Sequence, residues 1–302
     1  MEKNWTAPAI TGAIPHGDMP EDKVCIGEEH IRKAKVIFPE LRRLLEDRGD
    51  RRTVVAVCGG SGVGKSEIAS VLAYYLKDDG FGAYVLSGDN YPRRIPRDND
   101  LERLRIYRTG GLRALVKAEM VSDGLTREIR KRWETETDAD PEIPAEENWY
   151  RIYREAGRAA LSGYLGTPAE TDFDEVNGIL AAFHEGAPEG FLKRMGRETT
   201  ELWYDRVDWT GIRVLIVEWT HGNSEFLKGV DIPILLHSTP AETLAHRRAR
   251  NRDGKTDSAF TTLVLEIEQE KLHAQASRAA IILSKQGELL SYEAYSRRME
   301  NV

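Results

Sequence analysis

The chain has 302 residues, of which 40% are hydrophobic, and a formal net charge of −7. This length suits one large α/β domain with an insertion, whereas the acidic balance excludes a general nucleic-acid binder, which needs a basic face. No long apolar run, leader-type N-terminus or cysteine framework is present in the sequence, so we expect a cytoplasmic protein without membrane or nucleic-acid partners.

The first 52 residues predict an irregular arm followed by a helix. Prolines and glycines interrupt the segment up to Asp22, and apolar residues then recur at helical spacing from Ile31 to Leu45. Pro39 falls inside that pattern, so we expect a kink or a restart of the helix there. We therefore divide the chain into an arm and helix at residues 1–52 and a main domain at residues 53–302.

A phosphate-binding loop follows the first predicted strand, Thr53–Cys58. The strand is apolar and β-branched, which is typical of a strand buried on both faces of a parallel sheet. The loop matches the phosphate-loop pattern at every fixed position and runs through Gly59, Gly60, Ser61, Gly62, Val63, Gly64, Lys65 and Ser66. An amphipathic helix comes next, so the motif has the strand and the helix that it requires.

The spacing of this loop has a chemical reason. Glycines let backbone N–H groups turn towards phosphate oxygens, and the start of the following helix places positive partial charge at the same point. Lys65 is then expected to reach the β- and γ-phosphates of ATP, and the Ser66 hydroxyl to bind Mg²⁺. A glycine-rich turn without a ligand is the simpler alternative, but the flanking elements disfavour it.

A carboxylate follows the second predicted strand, Ala83–Leu86, in the form of Asp89. Ligands gather at the carboxyl ends of strands in doubly wound sheets, so Asp89 is a candidate base for an attacking hydroxyl. Gly-Asp-Asn is also ordinary turn chemistry. Three neighbours, Tyr91, Arg93 and Arg94, are candidate contacts for an acceptor, although the arginines also suit a charged surface loop.

The stretch from 98 to 166 is long, charged and mostly helical in pattern, and we predict that it forms a helical insertion on the acceptor side. Apolar residues near its two ends predict helices with one apolar face: Leu101, Leu104, Tyr107 and Leu112 at the first end, and Trp149, Ile152, Tyr153, Ala156 and Ala160 at the second. The acidic centre, Glu134 to Glu147, is predicted to be a dispensable solvated loop.

A second carboxylate, Glu218, ends the next predicted strand, Arg213–Val217. Phosphate-loop proteins place a magnesium-side acid in this position, so Glu218 and Ser66 are the candidate metal ligands. His221 is a candidate substrate contact, with a packed neutral histidine as an equal alternative. A helix with an apolar face is expected between the insertion and this strand, beginning near Asp172.

Two further strands, Ile232–Leu236 and Ala280–Leu283, complete the predicted sheet. Thr239 to Glu242 has the features of a helix start. Four arginines, Arg247, Arg248, Arg250 and Arg252, then predict a mobile lid at about residues 245–257, with Arg248 and Arg252 acting on the transferring phosphoryl group and Arg250 on ATP. A solvated basic face is the alternative. Strands alternating with helices predict a three-layer α/β/α fold with a mainly parallel sheet.

These motifs together resemble the phosphoribulokinase and uridine kinase family of P-loop kinases. The resemblance covers about half of the chain and includes the phosphate loop, Ser87 to Asp89, Glu218 to Gly222, the arginine segment, and Thr167 to Asp174. It implies that Asp89 is the base and that Glu218 is linked to Mg²⁺. Trp219 stands where the family usually has glycine, and the stretch from 98 to 166 has no counterpart.

The sequence therefore predicts an ATP- and Mg²⁺-dependent kinase that acts on the hydroxyl of a small molecule. Sugars, sugar phosphates, nucleosides and hydroxy acids all remain open as acceptors, and a homodimer remains open as the assembly. An adenylylsulfate kinase is a second interpretation, because arginines follow Gly88 to Asn90. A regulatory nucleotide switch is a third, although the guanine-specific and transport-ATPase motifs are absent from the sequence.

Overall fold

The structure is a computed structural model, and it describes residues 5–20, 24–142, 148–239, 241–245 and 258–299. The eight strands within these ranges are β1 (Thr53–Gly59), β2 (Ala83–Ser87), β3 (Glu189–Arg194), β4 (Trp203–Asp208), β5 (Val214–Glu218), β6 (Ile232–Leu236), β7 (Ile281–Leu283) and β8 (Leu289–Leu290). Eight helices with defined bounds are α1 (Glu28–Asp47), α2 (Lys65–Asp78), α3 (Pro96–Lys117), α4 (Asp123–Glu134), α5 (Asn148–Ser162), α6 (Phe173–His184), α7 (Ala259–Gln275) and α8 (Tyr292–Met299).

Six strands form one sheet in the order β2-β5-β1-β6-β7-β8. All neighbours pair in parallel except β7 and β8, which are antiparallel. The five strands predicted from the sequence are all in this sheet, and β1 and β5 are buried along their whole length, as expected for central strands. The order places the phosphate loop after β1, with Glu218 on one neighbouring strand and the end of β6 on the other.

Helices cover both faces of the sheet, which confirms the predicted three-layer α/β fold. On one face, α1 and α2 share an apolar cluster with inward side chains of β1, such as Val55 and Val57. On the other face, α6 contributes Phe173, Val176 and Leu180 to a second cluster. α1 runs through Pro39 as one helix, so the expected restart does not occur.

The insertion consists of three helices, α3, α4 and α5, of which the sequence pattern predicted the first and the last. They share an apolar cluster with α7, which brings the insertion against the end of the chain. Two tyrosines are fully buried there: Tyr107, whose ring faces Gly157, and Tyr153, whose ring faces Gly111. A side chain at either glycine would clash with the tyrosine ring of the opposite helix. Helices α3 and α5 can therefore approach closely only because both positions are glycine.

Two expectations for the insertion are wrong. Leu101 does not belong to its apolar face, because its side chain is 61% exposed. The acidic centre is not a solvated loop throughout: Asp138 is buried and accepts hydrogen bonds from Arg108 and from the Tyr153 hydroxyl. Polar residues in an acidic stretch were predicted to be solvated, but the partly buried Arg108 and the buried Tyr153 donate to this carboxylate and stabilise it inside the protein.

A small antiparallel hairpin, β3–β4, lies outside the main sheet and was not predicted. Its inner side is fixed by Leu192, which is fully buried in the second apolar cluster. Its outer side leaves Phe191 and Trp203 exposed. Arg194 at the end of β3 donates to the Tyr84 hydroxyl of β2 at 3.1 Å, so the hairpin stands beside the edge strand β2.

Candidate active site

The phosphate loop has the conformation that its glycines make possible. Gly62 and Gly64 have φ angles of 78° and 93°, in the left-handed region that favours glycine. α2 begins at Lys65, and the Lys65 ammonium donates to the Gly60 carbonyl at 3.3 Å across the loop. The loop, its lysine and the helix N-terminus are therefore placed as the sequence predicted.

Glu218 connects the phosphate loop to the edge strand. The Ser66 hydroxyl donates to Glu218 Oε2 at 3.1 Å, and the Ser87 hydroxyl donates to Oε1 at 2.6 Å. Glu218 is 2% exposed, so both contacts are shielded from solvent. The two predicted metal ligands thus touch each other, and Ser87, which was not predicted as a site residue, holds the second oxygen.

The environment of Glu218 favours its protonated form when no cation is present. Burial, reinforced by the nearby Asp89 carboxylate, raises the pKa of Glu218 to about 7. The Lys65 ammonium and the two serine hydroxyls act in the opposite direction. A cation bound beside Glu218 would stabilise its ionised form.

The donor set at Glu218 fits Mg²⁺. Carboxylate and hydroxyl oxygens are its preferred ligands, and Mg²⁺ usually binds one or two protein oxygens together with water and substrate phosphates. Within the described ranges, no three His, Cys, Asp or Glu side chains gather as a metal site made of protein alone. The pair of Ser66 and Glu218 therefore suits a cation shared with a nucleotide.

Asp89 lies on the short helical turn Gly88–Asn90 that follows β2. Its side chain is exposed, while Gly88 and Asn90 on either side are buried. Asp89 also acts electrostatically on Glu218, so the two acids share one edge of the sheet. This is the position expected for a group that meets an acceptor entering from solvent.

Trp219, the departure from the family pattern, is 3% exposed and packs in the second apolar cluster. Its indole fills the space where a Gly88 side chain would lie. The Trp219 indole therefore packs directly against the turn that carries Asp89. It belongs to the wall of the domain, so the acceptor pocket has to form elsewhere around Asp89.

Two predicted acceptor contacts are packed differently from the expectation. Tyr91 is fully buried in the second apolar cluster, so its side chain is not open to solvent in this structure. The His221 ring packs against Phe173 and Trp219. Burial lowers the pKa of His221 to about 4, so the ring is neutral near pH 7, which agrees with the packed alternative.

The two predicted acceptor arginines already have partners. Arg93 donates to the Pro168 carbonyl at 2.7 Å and to Asp172 at 3.0 Å. Arg94 donates to the Tyr164 hydroxyl at 2.9 Å and lies 3.7 Å from Glu102. Both arginines therefore join the turn after β2 to the insertion and to the start of α6.

A narrow cleft beside the phosphate loop lies on the β6 side of the site. It is lined by loop residues, by residues after β6 and by α7: Gly60, Ser61, Ser238, Thr239, Thr243, Leu265, Glu268 and Gln269. Thr239 and Glu242 bond reciprocally, as the sequence predicted for a helix start. The predicted lid residues Arg247, Arg248, Arg250 and Arg252 lie outside the described residues.

Sequence reasoning missed two parts of this region. One is Glu268 on α7, whose pKa is raised by burial and which interacts electrostatically with Lys65 and Asp89. The other is the N-terminal region, where the arm brings Gly17 beside Glu218 and α1 brings His30 beside Gly64. Neither has a motif, because one is a single acid in an ordinary helical pattern and the other depends on tertiary packing.

A comparison with curated proteins finds a relative that matches most of the chain. Over 257 residues, which are 85% of the chain, the sequence is 38% identical to a bifunctional alpha-galactosidase/sucrose kinase of Mediterraneibacter gnavus. The chain spans only 23% of that relative's length. This relative agrees with the resemblance to P-loop small-molecule kinases. No protein-family model matches the chain.

Solved structures of other kinases are more distant. A candidate fructose transport system kinase of Silicibacter sp. TM1040 has a TM-score of 0.49 and 16% identity, covering 80% of this chain and 94% of that one. D-glycerate 3-kinase of Cryptococcus neoformans has a TM-score of 0.45 and 11% identity, covering 88% and 98%. Structural similarity this low does not identify the reaction. No described helix is long and apolar enough to cross a membrane.

Proposed function

We propose that this chain is an ATP- and Mg²⁺-dependent kinase that phosphorylates a hydroxyl group of a neutral sugar. The observation that carries the proposal is the contact of Ser66 with Glu218 at 3.1 Å, with Asp89 on the same edge of the sheet. A phosphate loop, a cation-binding pair and a solvent-facing acid are the parts that transfer to an alcohol requires. The sucrose kinase activity of the bifunctional relative supports the same reaction.

The residues have distinct roles in this reaction. The loop backbone and Lys65 hold the β- and γ-phosphates; Ser66 and Glu218 would hold Mg²⁺, which would neutralise charge on the transferring group. The Asp89 carboxylate accepts the acceptor's hydroxyl proton. The hydroxyl oxygen forms a bond to the γ-phosphorus as the bond to the β–γ bridging oxygen breaks, and ADP leaves. The lid arginines remain candidates for a clamp on the phosphates.

The charges around Asp89 favour a neutral acceptor. The arginines that follow it, Arg93, Arg94 and Arg97, each lie within 4.0 Å of a carboxylate. On the hairpin, Arg194 lies 2.8 Å from Asp18 and 3.0 Å from Asp205. An acceptor phosphate or carboxylate would have to compete with these carboxylates for the guanidinium groups. The hydroxyl groups of an uncharged sugar do not need a free guanidinium group.

The bifunctional relative raises the question of which of its two activities this chain shares. A phosphate loop has no role in hydrolysing a galactoside, which depends on a pair of carboxylates around the glycosidic bond. The shared part therefore corresponds to the kinase activity, and sucrose is the first acceptor to test. This argument also disfavours an adenylylsulfate kinase, whose acceptor carries phosphate and sulfate.

The test is an acceptor panel with ATP and Mg²⁺. Sucrose, glucose, fructose and maltose are compared with fructose 6-phosphate, glycerate, uridine and adenylylsulfate, with ADP formation as the readout. The proposal expects turnover with at least one uncharged sugar and little with the anionic compounds. Turnover restricted to an anionic acceptor would contradict the neutral-acceptor proposal. Hydrolysis unaffected by any compound would instead favour the nucleotide switch.

A further inference from the structure

The N-terminal arm, residues 5–20, is packed onto the domain at its first end. The Trp5 ring lies 4.5 Å from the ring of Phe38 and 5.3 Å from that of Tyr75, between centroids. The Tyr74 hydroxyl donates to the Ala9 carbonyl at 3.1 Å. Aromatic burial of this kind contributes substantially to stability, so the arm begins on α1 and α2.

Asp18 fixes the other end of the arm at the edge of the sheet. It is 7% exposed and accepts hydrogen bonds from four groups: the Ser87 N–H at 2.7 Å, the Asn90 amide at 3.0 Å, the Tyr84 hydroxyl at 3.0 Å and the Arg194 guanidinium at 2.8 Å. These donors belong to β2, to the turn that follows it and to β3. One buried carboxylate therefore holds the arm, the turn and the hairpin together.

The turn that carries Asp89 is fixed from two sides. Asn90 donates to Asp18, and its side-chain oxygen accepts from the Met195 N–H at 2.9 Å, just after β3. Asn90 is fully buried, so these bonds are made inside the protein. Asp89 is exposed, and its side chain makes no hydrogen bond among the described contacts. Its orientation therefore depends on the bonds that hold the neighbouring Asn90.

Gly17 brings the arm's backbone to the predicted metal ligand. A Cβ built on Gly17 would lie 3.4 Å from Glu218 Oε1 and 3.7 Å from Ser87 Cβ. Oε1 is the oxygen that faces Ser87, at the end of β2. The cleft beside the phosphate loop lies on the opposite side, after β6. The arm therefore reaches the site on the side of Asp89, away from that cleft.

We propose that residues 16–18 form one wall of the acceptor site and that Asp18 is the positioning residue that orients Asp89 towards the acceptor hydroxyl. The inference rests on the proposed kinase function. It places the acceptor, an uncharged sugar, over the exposed Asp89 carboxylate, beside the arm and the turn that Asp18 joins. The arm thus belongs to the site, although its sequence contains no recognisable motif.

The first test compares two glycines of the same arm. Gly17→Ala puts a methyl group beside Glu218 Oε1, whereas a Cβ at Gly12 meets nothing within 4 Å, so Gly12→Ala is the matched control. Steady-state kinetics are measured with sucrose and with ATP–Mg²⁺ as the varied substrate. We expect Gly17→Ala to raise the sucrose KM about tenfold and the ATP KM by a clearly smaller factor, because the methyl group contacts the Glu218 oxygen that faces Ser87, whereas the other oxygen faces Ser66 in the phosphate loop.

The second test addresses Asp18. Asp18→Asn should lower kcat with sucrose about tenfold while calorimetric ATP affinity stays unchanged, because the turn carrying the base loosens and the phosphate loop does not. Tyr84→Phe removes only one of the four hydrogen bonds to Asp18, so it can be measured even if Asp18→Asn folds poorly. It should lower kcat by a smaller factor than Asp18→Asn does. Arg206→Ala, an exposed arginine on the same hairpin paired with Glu189, is the control.

The outcomes separate the two proposals. A wild-type protein that transfers no phosphate to any sugar of the panel overturns the proposed function and the arm's role with it. A wild-type protein that phosphorylates a sugar, with Gly17→Ala and Asp18→Asn matching their controls, overturns the arm's role alone. Equal losses in the sucrose and ATP constants would also overturn it, because the arm would then act on the nucleotide.

Discussion

The Ser66 hydroxyl donates a hydrogen bond of 3.1 Å to Glu218 Oε2, across 152 positions of sequence. Ser66 opens the helix after the phosphate loop, and Glu218 ends the neighbouring parallel strand. Because parallel strands end at one edge of the sheet, the fold itself brings these two oxygens together. Lys65 and Asp89 both act electrostatically on Glu218.

Lys65→Ala is expected to lower kcat with sucrose by about a hundredfold or more and to leave the fold intact. The ammonium lies at the mouth of the loop, where it is only partly buried, and removing one electrostatic contact to a transition state typically costs this much. Lys77→Ala, an exposed lysine on the same helix, is the control. Near-normal turnover in Lys65→Ala, with circular dichroism unchanged in both variants, would contradict the assignment of the ATP site.

Asp89→Asn is expected to lower kcat by about a hundredfold to ten-thousandfold, the usual contribution of a general base. ATP affinity should hardly change, since Asp89 is on the acceptor side. Calorimetric ATP binding and steady-state rates measured on one preparation separate these effects. Asp123→Asn, at the exposed start of α4, controls for the loss of a surface charge. A folding defect with little loss of rate would identify Asp89 as a turn residue only.

The raised pKa of Glu218 predicts a pH dependence of stability in the nucleotide-free protein. Its pKa moves from 4.5 to about 7 on folding, so the folded state holds a proton that the unfolded state releases between these values. The Glu218 contribution to the free energy of unfolding therefore falls as pH rises from 4.5 to about 7. Glu218→Gln should lose this part of the pH dependence and show higher stability at pH 8 than the wild type.

Thermal melts of both proteins across this pH range, without Mg²⁺, provide the measurement. The difference between the two melting temperatures isolates Glu218 from other titrating groups. The variant should also be inactive, because an amide is a poor ligand for Mg²⁺ at this position. A difference that does not change with pH would contradict the buried, protonated state.

Asp138→Ala is expected to destabilise the insertion by about 3 kcal/mol, because the largely buried Arg108 loses its carboxylate partner. Asp140→Ala, nearby in the same acidic stretch and only partly buried, should cost much less. Urea unfolding of the two variants measures both values. Equal, small losses would restore the original expectation that the whole stretch from 134 to 147 is dispensable.

Much of the fold and the centre of the site follow from the sequence, because both depend on local patterns. The strands are short apolar runs, and the phosphate loop is continuous in sequence. The prediction for Tyr91 overlooks a tertiary contact: a tyrosine after an acid suits a pocket by chemistry, but packing against α6 buries it. Asp18 was missed for the same kind of reason, since its four donors come from β2, the turn after it and β3, and leave no pattern around Asp18 itself.

The most direct measurement of the central claim uses ATP labelled at the γ-phosphate, sucrose and Mg²⁺, with the products separated and identified by mass. We expect the label to appear on the sugar in the wild type and this transfer to be lost in Lys65→Ala and Glu218→Gln. Label released only as inorganic phosphate, at a rate that neither sucrose nor any other uncharged sugar changes, would contradict it.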